Sequence, residues 1–375
     1  MTCHTLLSPV ARPSRSAGRR ARTSVRVLLA VIGVTTVVAA QSADRPSVRK
    51  TAKVGNGLYE IAVSPSTGSV YVASAGSRTA PGGTVFVLNG NTLDVLETID
   101  VSSAPPYGLA LNDRTQTLYT TNTRSGSASA INLKTGQTTT ITSDTDKNAH
   151  LREIAVDEAA NVIYASSFGD PGRVWVIDGQ TNTLSRVLEN VGRGTAGLAI
   201  DHAAGRLYVT NINTAEVAVI DTATGHVVQR FPAGGERPTN LALDAKTGRL
   251  FVANQGPGTV TVLDVKTGKL LATLTAGAGT LDVELNPAAN LVYAANRVNG
   301  TVSVFNATTY APLTTLETGG APNTLAVDSK TGFVYVTKKT RPGPGRGRGR
   351  GGDGTPAAAP PPDDGQGDTV ALIHP

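Results

Sequence analysis

The stretch Asp244–Gly268, DAKTGRLFVANQGPGTVTVLDVKTG, contains D-x-K-T-G twice, on either side of a valine-rich segment in which apolar and small residues alternate. Alternation at period two marks a strand, and Asp and Gly at its ends mark tight turns. The two copies read as two hairpin turns at the same end of a four-stranded antiparallel meander. The first joins strands one and two, the second strands three and four. In each turn the Asp side chain accepts hydrogen bonds from the backbone ahead of it. The fifth residue is expected at positive φ, which Gly adopts without steric cost and Asn tolerates.

The same unit recurs along the chain. Aligning VYVAS, LYTTN, IYASS, LYVTN, LFVAN, VYAAN and VYVTK on their aromatic residue gives seven anchors: Tyr71, Tyr119, Tyr164, Tyr208, Phe251, Tyr293 and Tyr335, at steps falling from 48 to 42 residues. Gly or Asn fills the fifth slot of nearly every turn, Gln116 being the exception. Seven small sheets that cannot each bury both faces alone must stack around an axis. The expected fold is all-β: a seven-bladed β-propeller of four-stranded antiparallel blades. Small residues are expected where inner strands crowd the axis, and Ala62, Ala110, Ala155, Ala199, Ala242 and Ala326 stand nine before the anchor. Glu284 replaces alanine in the sixth unit.

The last unit has a third strand, DTVALIHP, but no fourth, whereas Ser47–Gly55 has the pattern of an outer strand and precedes the first inner one. The N-terminal strand is therefore expected to close the last blade, which removes an open edge. Ahead of it, six arginines between Arg12 and Arg26 precede the apolar run Val27–Ala40. This predicts a cleaved signal peptide over 1–40, an uncleaved anchor being the alternative, followed by a linker over 41–46 and a domain over 47–375. The Arg19-Arg20 pair is followed by a poor twin-arginine match, so a general secretory route is expected, to the periplasm or beyond. The leader contains six Arg and no acid, which accounts for the whole formal charge of +6, and it contains the single cysteine, Cys3. The remainder is neutral and free of thiols. Disulfides, cysteine nucleophiles and thiolate metal sites are excluded there, and the high isoelectric point carries no information about a nucleic-acid partner.

LYVTN, TVTVLD, LAVDSKTG and the turns between them resemble the YVTN-repeat β-propellers, a family of exported bacterial proteins called YncE-like. The likeness runs over nearly all of 47–375. It implies the propeller fold and leaves activity open, since DNA binding has been proposed for some relatives and surface-layer roles for others. Related propellers include lactonases and haem-containing reductases, and a fold does not choose a chemistry.

In such a ring the loops between strands two and three and those linking successive blades share one face, around the mouth of the central channel. The starts of the inner strands should line it: Tyr59, Glu60, Tyr107, His150, Arg152, Glu153, Arg193, Arg237, Asn240, Asp282, Glu284 and Asn323. Glu284, alone among alanines, needs solvent, a proton or a partner, and Arg237 on the adjacent blade is the expected partner. His202 and His226 fall in far-face turns and His374 near the C-terminus. No zinc-type histidine pair, G-x-S-x-G elbow, Walker loop or C-x-x-C-H haem site is present. Trp175 is expected to pack. An insertion over 340–367, rich in Gly, Pro and Arg, interrupts the last unit and is expected to be a disordered loop beside the mouth. Its basic half, with Arg346, Arg348 and Arg350, precedes aspartates that include Asp368.

Three functions remain. The first is a non-catalytic, monomeric binding or scaffold module without a cofactor. It holds a protein or small-molecule ligand at the mouth through Tyr59, Tyr107, His150, Arg152, Arg237, Asn240 and Asn323. The second is a lactonase-like hydrolase using Glu60, Glu153, Asp282 and Glu284, with a divalent cation. The third is sequence-independent DNA binding through Arg346, Arg348 and Arg350.

Overall fold

Every blade of the computed structural model repeats one local solution. The structure describes residues 45–76, 81–340 and 368–375. The signal peptide, most of the 41–46 linker and the 340–367 insertion beyond Thr340, with Arg346, Arg348 and Arg350, lie outside them. The hairpin turns behave as their spelling requires. Asp264 Oδ1 accepts from the backbone N–H of Lys266 at 3.1 Å and Thr267 at 3.0 Å, and from the Thr267 hydroxyl at 2.9 Å. Gly268 then sits at φ 69°, and Gly248 closes the preceding turn at φ 66°. Two slots depart from the Gly or Asn expectation: Leu93 at φ 57° and Tyr310 at φ 63°. Both are tolerated because their side chains pack between blades. Leu93 is buried in the cluster shared by the seventh and first blades, and the Tyr310 ring meets Phe251 edge-on at 6.4 Å. Gln116, also at positive φ, uses its side chain to donate to the Asp113 carbonyl at 2.7 Å and carboxylate at 2.8 Å.

Strands β1 to β28 form seven four-stranded antiparallel sheets among the described residues. Six blades run in chain order: β2–β5 (58–100), β6–β9 (108–141), β10–β13 (151–192), β14–β17 (195–232), β18–β21 (238–275) and β22–β25 (280–317). The seventh is β26 (Ala321–Val327), β27 (Val334–Lys339), β28 (Thr369–His374) and β1 (Ser47–Lys53), in that order from the axis. Ser47 faces His374 and Lys53 faces Thr369 across the β1–β28 ladder, so strands from the two ends of the propeller close the ring as expected.

The core is seven wedges, each between two neighbouring blades. The wedge of the fifth and sixth blades holds Phe251, Val262, Val283 and Phe305, and that of the second and third holds Tyr119, Leu151 and Trp175. The closing interface, with Leu58, Val72, Tyr335 and Leu372, is filled like the others. Apolar burial stabilises by about 25 cal/mol per Å2, so each wedge holds two neighbouring blades together. Trp175 packs as expected, with Nε1 donating to the buried Asp146 at 2.9 Å.

Candidate functional site at the channel mouth

The mouth is built by β-bulges. In the first blade Leu58 pairs with Ser74 and Ile61 with Val72, so Tyr59 and Glu60 oppose a single residue. The same two-against-one register falls at Arg152 and Glu153, at Ala196 and Gly197, at Thr239 and Asn240, and at Asn323 and Thr324. In the sixth blade the extra residue is Leu281. A bulge re-aims its residues out of the pleat. Here they line one cavity of about 430 Å3. Of the residues expected at the mouth, Tyr59, Glu60, Tyr107, His150, Arg152, Glu153, Arg237, Asn240, Asp282 and Asn323 all line it. Two do not. Arg193 stays outside and pairs with Asp170 at 2.7 Å. Glu284 lies two residues farther along its strand, in register with the six alanines and opposite Tyr293.

Backbone N–H groups freed at the bulges need acceptors. Where the residue two after the anchor carries a hydroxyl, that hydroxyl supplies one. Thr121 accepts from Gly108, Ser166 from Glu153, Thr210 from Gly197 and Thr337 from Thr324, at 2.8, 3.1, 2.8 and 3.1 Å. Three of these hydroxyls donate onward to the next blade: Thr121 to the Arg152 carbonyl at 2.6 Å, Thr210 to that of Thr239 at 2.8 Å and Thr337 to that of Tyr59 at 2.9 Å. The remaining three blades have Ala73, Ala253 and Ala295 at that position. There the bulge residue itself carries the acceptor. Glu60 accepts from Ile61 N at 3.3 Å, Asn240 from Leu241 N at 3.0 Å and Asp282 from Val283 N at 2.9 Å. Two of the mouth carboxylates thus also complete the fold.

Asp282 ties three blades together. Its Oδ1 also accepts from Asn240 Nδ2 at 2.6 Å, and its Oδ2 from Leu325 N at 2.7 Å. Burial nevertheless raises its carboxyl to about 7, the Glu153 charge adding to the effect. Burial pushes Glu60 well above the usual range, helped by the charges of Glu153 and Asp282, and it raises Glu153 against the opposing pull of Arg152. Glu284 is likewise raised well above the usual range, by burial and then by Asp282. Glu60, Glu153 and Glu284 keep partial contact with solvent while Asp282 is buried, and the enclosing inner strands strip away most of their water. The expected Arg237 partner for Glu284 does not form: the Arg237 guanidinium reaches Gln255 Oε1 instead, at 3.1 Å from Nη2. The reason is position, since Arg237 precedes its strand and lines the mouth cavity together with Gln255, whereas Glu284 lies farther along its own strand and outside that lining. Among the described residues no three His, Cys, Asp or Glu side chains are grouped as a metal ion requires.

Above the acids lies a cationic and aromatic rim. Tyr59 and Tyr107 pack with centroids 4.5 Å apart, and the Arg124 guanidinium lies 5.6 Å from the Tyr107 centroid. Phe168 lies between His150, 5.8 Å away, and Arg152, 5.9 Å away. Burial and the Arg152 charge lower His150. Arg297 donates to Asn323 Oδ1 at 2.6 Å. Sequence reasoning missed Phe168, Arg297, Gln255 and Lys339, although a signal was present. Each stands four after its anchor aromatic, where the second strand reaches the mouth. It also assigned Asp368 to the acidic end of the insertion. In the structure Asp368 anchors the blade: its Oδ2 accepts from the N–H of Gly57, and from that of Leu58 at 3.2 Å, and its Oδ1 from Thr340 N at 2.6 Å.

The sequence matches the family model described as YNCE-like beta-propeller over residues 174–341. It is 36% identical over 185 residues to a Salmonella typhi protein named "Uncharacterized protein YncE", covering 47% of this chain and 52% of that one. It is 33% identical over 208 residues to the protein of the same name from Escherichia coli (strain K12), covering 53% and 58%. The chain is a seven-bladed β-propeller similar over these residues to the YncE-like family. It spans about half the length of the curated relatives it matches. The family match takes in Arg237, Asn240, Asp282 and Asn323, and it begins after Tyr59, Glu60, Tyr107 and Glu153.

Proposed function

We propose that this YncE-like propeller is an exported, non-catalytic binding module whose ligand, a small molecule or a segment of a partner protein, occupies the channel-mouth cavity. One observation carries the reading: inner-strand bulges aim side chains from several blades into a single cavity of about 430 Å3, where aromatic rings and cations overlie carboxyls. A concave, largely preformed site with a few convergent polar groups is the usual form of a ligand pocket. Among the described residues, none of the ion pairs involves Arg124, Arg152 or Arg237. These charges are therefore available to a ligand. A thermal-shift screen of small molecules and peptides tests the reading. A ligand at 100 times its Kd stabilises by about 2.7 kcal/mol. The hit should lose its effect in an Arg152→Ala, Arg237→Ala double variant that folds normally; a hit that keeps its full effect there binds elsewhere and overturns the site.

A second reading is favoured by Glu60 and Glu153, two carboxyls that line the same cavity and are both raised by burial, since pairs of carboxyls with perturbed proton affinity divide acid and base roles in hydrolases. Under the binding reading, purified protein turns over no lactone and Glu284→Ala changes nothing. Turnover abolished by Glu153→Gln selects the hydrolase instead.

A further inference from the structure

We propose that Lys339 is a nucleophilic amine that captures carbonyl compounds carrying an anionic group, in a second cavity beside the channel mouth. This cavity, about 560 Å3, is lined by Asn56, Tyr59, Tyr107, Arg124, Lys339 and Asp368 among others. Lys339 ends β27, so its side chain leaves the sheet at the mouth. Its Nζ lies 2.9 Å from the centre of the Tyr59 ring. Among the described residues no carboxylate comes within ion-pair distance of it. Asp368, an acid that acts on it, is already occupied by the N–H groups of Gly57, Leu58 and Thr340.

The other charges around the amine come from Arg297 in the sixth blade, Arg152 in the third and Glu60 in the first. Burial, followed by the Arg297 charge, lowers Lys339 to about 7. Desolvation and a neighbouring cation are the two devices that turn a lysine into a nucleophile. The same surroundings select the reactant. Arg124 lines the cavity with its guanidinium over Tyr107, so a carbonyl compound bearing a carboxylate or phosphate is favoured over a neutral one.

The step needs no oxidant or reductant. The Nζ lone pair attacks the carbonyl carbon, the C=O pair moves to oxygen, and a proton passes from nitrogen to that oxygen to give the carbinolamine. The nitrogen lone pair then expels the hydroxyl as water with a proton from the Tyr107 phenol, which burial keeps protonated. The iminium returns a proton to the phenolate. One amine and one carbonyl thus give one imine and one water.

The full chain is incubated with glyoxylate and cyanoborohydride, which reduces the imine in place, and adducts are mapped by peptide mass spectrometry from pH 5.5 to 10. At pH 7 Lys339 is expected to be labelled at least about tenfold faster than the exposed turn lysines Lys246 and Lys266, because an ordinary lysine is almost wholly protonated there. Its labelling rate should reach half its plateau near pH 7. Equal labelling of the three lysines, or none at Lys339, overturns the proposal. Arg124→Gln should reduce the preference of Lys339 for glyoxylate over acetaldehyde, and an unchanged preference overturns the anionic class.

Discussion

At the scale of single residues, identical spelling conceals different surroundings. Gly248 and Gly268 close the two D-x-K-T-G turns at nearly the same positive φ, so alanine at either costs about 1 kcal/mol of backbone strain. A Cβ on Gly248 would lie 3.4 Å from the Val265 side chain, whereas one on Gly268 would lie 2.5 Å from Phe231 Cβ in the neighbouring blade. Gly268→Ala is therefore expected to lower stability more than Gly248→Ala, by about 1–3 kcal/mol. Denaturant unfolding measures the difference, and equal losses would contradict the packing argument. Asp282→Ala should cost about 2–4 kcal/mol, because it leaves the N–H groups of Val283 and Leu325 and the Asn240 amide without an acceptor in a buried place. Urea titration of that variant is the check, and a loss below 1 kcal/mol would show that water replaces the carboxylate.

At the scale of the strand, the bulge and the hydroxyl two after the anchor form one device. Thr210 satisfies the Gly197 N–H and donates to the Thr239 carbonyl of the next blade. Thr337 does the same for Thr324 and Tyr59, but the Tyr59 carbonyl has two further donors, the Thr324 hydroxyl at 2.7 Å and Asn323 Nδ2 at 3.1 Å. Valine at either position keeps the shape and removes the hydroxyl. Thr210→Val is expected to cost about 1–3 kcal/mol and Thr337→Val less, since only one buried group is orphaned there. The reverse order in thermal unfolding would refute the latch. Strand ends explain another buried atom. Tyr335 OH donates to the Gly90 carbonyl at 2.9 Å and Tyr119 OH to Asn182 Oδ1 at 2.7 Å, each in the outer hairpin turn of the next blade. Among the described residues Tyr293 OH has no hydrogen-bond partner, because the outer strands of the next blade, β28 and β1, are not joined by such a turn.

At the scale of the whole molecule, closure and channel electrostatics dominate. Deleting residues 1–53 removes β1 and exposes β28 as a bare edge, so the truncated chain should melt at lower temperature and self-associate through that edge. Chromatography and calorimetry decide, and an unchanged midpoint in a monomer would dispute the role of the strand. The channel acids set a pH dependence. Asp282 titrates near 7 when folded and near 3.9 when unfolded, so between those values the folded chain holds more protons. Stability must then fall as pH rises from about 4 through 7, and the raised Glu60, Glu153 and Glu284 act in the same direction. Lys339, lowered to about 7, adds stability only as pH climbs beyond that toward 10. The melting temperature is expected to be about 2 °C or more higher at pH 5 than at pH 7.5, and Glu284→Gln should flatten the slope. A rising curve over that interval would reject the assignment.

Blade number, strand order, the positive-φ turn slots and the partnership of chain ends were all legible in the amino-acid sequence, because each follows from periods of two residues and of about forty-two to forty-eight, and from local turn chemistry. So was the list of most mouth residues, since register relative to an anchor aromatic fixes which end of the propeller a side chain occupies. What neighbours do to one another was not legible. That Arg237 turns to Gln255, that Asp368 clamps Gly57, and that Leu93 is held at positive φ by an interblade wedge are contacts between segments far apart in the chain or packed across blades. The sequence determined the ring through its repetition; only the tertiary structure decided which acids lose their water and which cations stay unpaired, because those depend on distances across the axis that no repeat encodes.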